Sequence, residues 1–97
     1  MTNLSHEAVA LETLAKALLS LSDEAECIAF LKDLCTIRET DDMAQRLEVA
    51  LLLKEGKNYQ EISKITGAST ATISRVSRAL VHGSGGYRTV LAKLTNE

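Results

Sequence analysis

Apolar residues recur at helical spacing along most of the chain. Leu11, Leu14, Leu18 and Leu21, widened by Leu19, trace a first helix from His6 to about Leu19. Ser5 suits its N-cap, and Leu4 and Val9 stand where a hydrophobic staple would place them. A second stripe of Ala25, Ile28, Leu31 and Leu34, broadened by Cys27, Phe30 and Cys35, predicts a helix capped by Ser22. Asp23, Glu24 and Glu26 load its first turn, where the helix dipole favours negative charge. Both apolar faces are wider than one partner helix can cover, which predicts burial in a larger bundle or against a second chain. A third helix can start at Thr36, with Glu39 completing a capping box, or at Thr40 ahead of Asp41 and Asp42. Met43, Leu47, Ala50, Leu51 and Lys54 mark one of its faces, and Gly56 suits the left-handed residue that ends it.

The segment Tyr59–Leu80 carries a denser pattern. With Tyr59 as the first position, a helix-turn-helix needs an apolar fourth residue, a small fifth, and a glycine ninth to take positive φ in the turn. Apolar residues at the tenth, fifteenth and eighteenth positions then close the angle between the helices. The chain supplies Ile62, Ser63, Gly67, Ala68, Ile73 and Val76. The eighth position, Thr66, is the one imperfect match. Ser69 suits the cap of the second helix, and Ile73, Val76 and Leu80 form its inward stripe. Thr70, Ala71, Ser74, Ser77 and Arg78 are left facing outward. Such short side chains let a helix approach base edges in a major groove, while hydroxyls and cations reach phosphates. A Ser/Thr-rich surface is an unusual choice for a purely structural helix, because these residues are poor helix formers.

Composition adds three constraints. The chain has 97 residues, no proline and only five glycines, the first at Gly56, so one mostly helical domain is expected. Its net charge of −2 hides an asymmetry. Residues 1–56 hold five Lys/Arg against eleven Asp/Glu, whereas residues 57–97 hold six against two. The basic half, with Lys57, Lys64, Arg75 and Arg78, is the part suited to a polyanion. On one helix Cys27 and Cys35 would stand roughly 12 Å apart, too far for a disulfide, so they read as reduced, buried residues of a cytoplasmic protein. The N-terminus has no signal-peptide pattern, and the longest apolar run, Val49–Leu53, is too short to span a membrane.

No enzymatic chemistry is expected. His6 and His82 lack metal-ligand neighbours, and Ser74 and His82 have no positioned acid for a triad. Gly83–Gly86 follows a helix rather than a strand, so it is not a nucleotide loop. Asp41 and Asp42 read as dipole partners at a helix start. Only Phe30, Tyr59 and Tyr87 could stack on single-stranded bases. Neither a cofactor nor a metal is expected. The alternatives to duplex binding are a helical protein-interaction module and the DNA-binding piece of a mobile-element protein.

From Thr36 to Tyr87 the chain resembles the Trp repressor superfamily, and more closely the Trp-repressor-related YerC/YecD proteins of bacteria. The resemblance is carried by Tyr59-Gln60-Glu61-Ile62-Ser63, by Thr66-Gly67-Ala68-Ser69-Thr70-Ala71-Thr72-Ile73-Ser74-Arg75-Val76, and by Gly83-Ser84-Gly85-Gly86-Tyr87. It implies an all-α bundle forming an intertwined homodimer. Residues 1–35 would be dimerisation helices, 36–56 a spine, 59–80 the helix-turn-helix and 87–95 a C-terminal helix. It further implies transcription regulation, most simply repression, at a palindromic operator.

By family position Gln60, Thr70, Ala71 and Ser74 meet the DNA; Lys64 is a phosphate contact on charge alone, and Ser69, Arg75 and Arg78 complete the expected DNA-binding set. The family's effector pocket maps onto Thr36, Arg46, Thr72, Arg75 and Val76. Val76 replaces a glycine and Ala79 a serine, so L-tryptophan is not expected to be the effector. The site would then hold another small molecule, or its arginines would pair with acids such as Glu48 or with DNA phosphate.

Overall fold

The computed structural model of the chain describes residues 5–95. Among them it contains six helices and forms an all-α bundle: α1 (His6–Leu19), α2 (Glu24–Leu34), α3 (Ile37–Lys54), α4 (Tyr59–Thr66), α5 (Thr70–His82) and α6 (Gly86–Leu94). The chain divides into two compact units, one ending at Ile37 and the other beginning at Arg38.

Local chemistry explains the element boundaries of the first unit. The Ser5 hydroxyl caps α1 by accepting from the Ala8 amide at 3.1 Å. Leu4, the other half of the expected staple, lies outside the described residues. The α2 cap is Asp23, not Ser22. Asp23 Oδ1 accepts from the Glu26 amide at 2.9 Å, and Glu26 Oε1 accepts from the Ser22 amide at 2.9 Å. A carboxylate at the cap combines the hydrogen bond with the dipole interaction, which a serine hydroxyl cannot.

None of the residues of α1 or α2 is buried. Leu11 is 67% exposed and Leu19 is 86% exposed. On α2 the half-buried positions are Cys27, Phe30 and Leu31, while Ile28 and Leu34 of the expected stripe are exposed. Cys35 stands just past the helix as its C-cap, and both cysteines are free and half-buried rather than buried.

The second unit has its own core. Val49 and Ala50 of α3, Ile62 of α4, Ala68 of the following turn, Ile73 and Val76 of α5 and Leu91 of α6 are buried together. Leu47, Leu51, Leu52, Leu53, Leu80 and Tyr87 pack around them. Each large aliphatic side chain so buried contributes about 1.5–3 kcal/mol. Of the expected face of α3, Ala50 is buried and Leu47 and Leu51 pack against the core, whereas Met43 is exposed and Val49 joins the buried side. Residues 49–53 are apolar without a break, so periodicity alone could not select the buried side.

α3 begins directly after Thr36, and Thr40 lies within it rather than capping it. Its end is a Schellman turn. Gly56 sits at φ +90°, the Gly56 amide donates to Leu53 O at 3.0 Å, and the Lys57 amide donates to Leu52 O at 3.1 Å. Gly83 ends α5 in an extended conformation, where a Cβ would collide with the carbonyl oxygen of Ala79. No helix among the described residues is long and apolar enough to cross a membrane.

Candidate nucleic-acid interface

The second unit positions its polar residues through a tightly hydrogen-bonded helix pair. α4 starts with a capping box: Asn58 Oδ1 accepts from the Glu61 amide at 2.9 Å, and Glu61 Oε1 accepts from the Asn58 amide at 3.2 Å. The Asn58-x-x-Glu61 signal is present in the sequence but was overshadowed by the helix-turn-helix pattern that starts one residue later. Gly67 ends α4 at φ +76°, with its amide donating to Ser63 O at 2.8 Å. No neighbour lies within 4 Å of a Cβ built there, so conformation rather than space calls for glycine.

Thr66, the imperfect match, holds the turn together. Its hydroxyl donates to Ile62 O at 2.7 Å and accepts from the Ala68 amide at 3.1 Å. Its carbonyl accepts from Gln45 Nε2 at 3.1 Å, which ties the turn to α3. The Ser63 hydroxyl donates to Ala68 O at 2.8 Å. A leucine at position 66 would bury more apolar area but leave the Ala68 amide without this partner. Ser69 caps α5, accepting from the Thr72 amide at 3.1 Å and donating to Thr72 Oγ1 at 3.1 Å.

This framework turns Ile73 and Val76 inward and leaves Ser69, Thr70, Ala71, Arg75 and Arg78 exposed, with Ser74 and Ser77 half-buried. On α4, Gln60 and Lys64 are exposed. Gln60, Lys64 and Thr70 come together in an open groove of ≈ 450 Å³, completed by Tyr59 and Ser63. Arg75 and Arg78 line a second groove of ≈ 250 Å³ at the other end of α5, with Ala79, His82 and Gly83.

Of the residues assigned to an effector pocket, Arg46, Thr72 and Arg75 line one cavity of ≈ 190 Å³, with Asp42 and Gln45. Every wall is therefore a polar side chain, and its acid is Asp42 rather than Glu48. Val76 is instead packed in the core, and Thr36 belongs to the first unit. A separate, mostly apolar hollow of ≈ 410 Å³ is lined by Leu47, Ala79, Gly83, Ser84, Gly86, Tyr87 and Val90. No group of His, Cys, Asp and Glu among the described residues could hold a metal ion.

Comparison with known proteins decides what this arrangement belongs to. The family model for the Trp repressor protein matches residues 9–95. The chain belongs to the Trp repressor family. That family consists of DNA-binding transcription regulators and not of enzymes. Within it the chain is a YerC/YecD-type member. It is 51% identical over 84 residues to the protein YerC of Bacillus subtilis, covering 87% of this chain and 81% of that protein. Among solved structures, a TrpR-like protein from Eubacterium eligens superposes with a TM-score of 0.85 at 49% identity, over 89% of each chain. A candidate Trp repressor from Staphylococcus aureus superposes with a TM-score of 0.86 at 41% identity, over 98% of each chain.

Proposed function

We propose that this member of the Trp repressor family acts as a homodimeric, sequence-specific repressor on a palindromic operator, and that it does so without tryptophan. The observation that carries the reading is the outer face of the α4–α5 pair. Gln60, Lys64, Thr70, Ala71, Arg75 and Arg78 are exposed there while Ile73 and Val76 close the inner face. Thr70, Ala71, Ser74 and Gln60 would read base edges in the major groove, with Ser69 at the start of the reading helix. Lys64, Arg75 and Arg78 would supply salt-dependent affinity through phosphates.

Homodimer formation is supported by the first unit. With no buried residue in α1 or α2, the exposed Leu11, Leu18, Leu19 and Leu34 stay in water unless a second chain covers them. Two identical chains related by a two-fold axis would favour half-sites one helical turn, or a multiple of it, apart. Independence from tryptophan is supported by the cavity at Arg46, Thr72 and Arg75, which offers an indole ring no apolar wall. If a small molecule does enter, its chemistry must be polar.

Ser74→Glu tests the reading. The carboxylate would face phosphates and polar base edges, and we expect duplex affinity to fall by about 100-fold or more. Sedimentation should still report a folded dimer. Retained affinity in a gel-shift assay counts against the assigned face. Selection from a random duplex library would test two-fold symmetry and half-site spacing together.

A further inference from the structure

The chain's two tyrosines sit in different settings. Tyr87 packs against the core. Tyr59 stands outside it, 38% exposed, as the first residue of α4. Its backbone is fixed by the capping box that begins at the preceding residue. Its side chain lines the groove where α4 meets the start of α5, together with Gln60, Ser63, Lys64 and Thr70.

That lining has a definite chemistry. The Ser63 hydroxyl donates its proton to Ala68 O. The nearby acid, Glu61, accepts from the Asn58 amide and is not part of the groove. The remaining groups are a phenol, a primary amide, an ammonium and a hydroxyl: four donors, one full positive charge and no carboxylate. All four can donate, and the only full charge among them is positive, which suits one singly charged group rich in acceptor oxygens. A phosphodiester is such a group. The groove is open and shares Thr70 with the exposed face of α5, so its occupant must be part of something that continues along that helix.

We infer that the groove seats one backbone phosphate of duplex DNA, and that the Tyr59 hydroxyl donates to it beside the Lys64 ammonium. The inference rests on the DNA-binding reading above. It adds a contact that fixes the register of α5 on the duplex without reading sequence.

The test uses the full chain and a random-sequence duplex of about 30 base pairs at low salt, because a phosphate contact needs no operator. Tyr59→Phe removes only the donor. Affinity should fall about 10-fold for each subunit seated on the duplex, the scale of a hydrogen bond to a charged group. The melting temperature should not change, and neither should the slope of log K against log salt, since no charge is lost. Lys64→Gln should lower that slope by about 0.9 for each subunit seated on the duplex.

Direct contact can be read separately. The chain has no tryptophan and two tyrosines, so Tyr87→Phe leaves Tyr59 as the sole strong emitter. Its emission should change on addition of duplex. Wild-type affinity in Tyr59→Phe overturns the inference, as does emission in Tyr87→Phe that is blind to saturating duplex. If the unmodified protein shows no salt-dependent duplex binding, the fault lies in the underlying reading, and the inference falls with it.

Discussion

The two units of this chain are both helical and both rich in leucine, yet among the described residues one has an interior and the other does not. From Arg38 onward, seven of the described apolar residues are buried in a single cluster contributed by α3, α4, the turn, α5 and α6. In α1 and α2 nothing is buried, and Leu11, Leu18, Leu19, Ile28 and Leu34 remain exposed. Helical spacing of apolar residues therefore has two outcomes in one molecule. In the second unit it builds a scaffold rigid enough to hold a polar face in place. In the first it builds apolar surface that a single chain does not cover, which suits an assembly element.

Three measurements bear on this contrast. The largest effect is expected at Ile73, fully buried under the proposed reading helix. Ile73→Ala should destabilise the protein by about 2–5 kcal/mol, the usual cost of a core truncation. Thermal and urea unfolding would measure it, and a loss under about 1 kcal/mol would deny the second unit its core. Next comes Leu18→Lys in the first unit. Leu18 is already exposed in the single chain, so this change should cost little within one subunit. If a second copy covers α1, dimer affinity should drop by more than about 100-fold, since each of two copies loses a contact of roughly 1.5–3 kcal/mol. Sedimentation equilibrium that finds the variant as dimeric as the parent would remove the first unit from the interface. The smallest effect is expected at Gly67→Ala. Space is free around a new Cβ, so only the left-handed conformation opposes it, at about 1–2 kcal/mol. A neutral result would mean that the turn has a second accessible conformation.

Much of the framework of the candidate site is legible in the sequence. Gly67, Ser69, Ile62, Ile73 and Val76 announce their positions because a tight turn between helices constrains each through short-range geometry. Ser5 and Gly56 could be read for the same reason. The cap at Asp23 was missed by one residue, because Ser22 and Asp23 both suit the role and only the backbone decides between them.

The amino-acid sequence by itself determined where the helices run, where they stop and which side of α5 is polar, because caps, glycines and periodicity act over a few residues. Tertiary structure decided the rest. It buried Val49 beside Ala50 on α3, since an unbroken apolar run has no preferred face until other helices arrive. It converted Thr66 from a flaw in a pattern into the residue that ties the turn to Gln45, a partner 21 positions away. It also brought Tyr59 and Lys64 beside Thr70, because the angle between two helices is fixed by what packs beneath them and not by what faces the solvent.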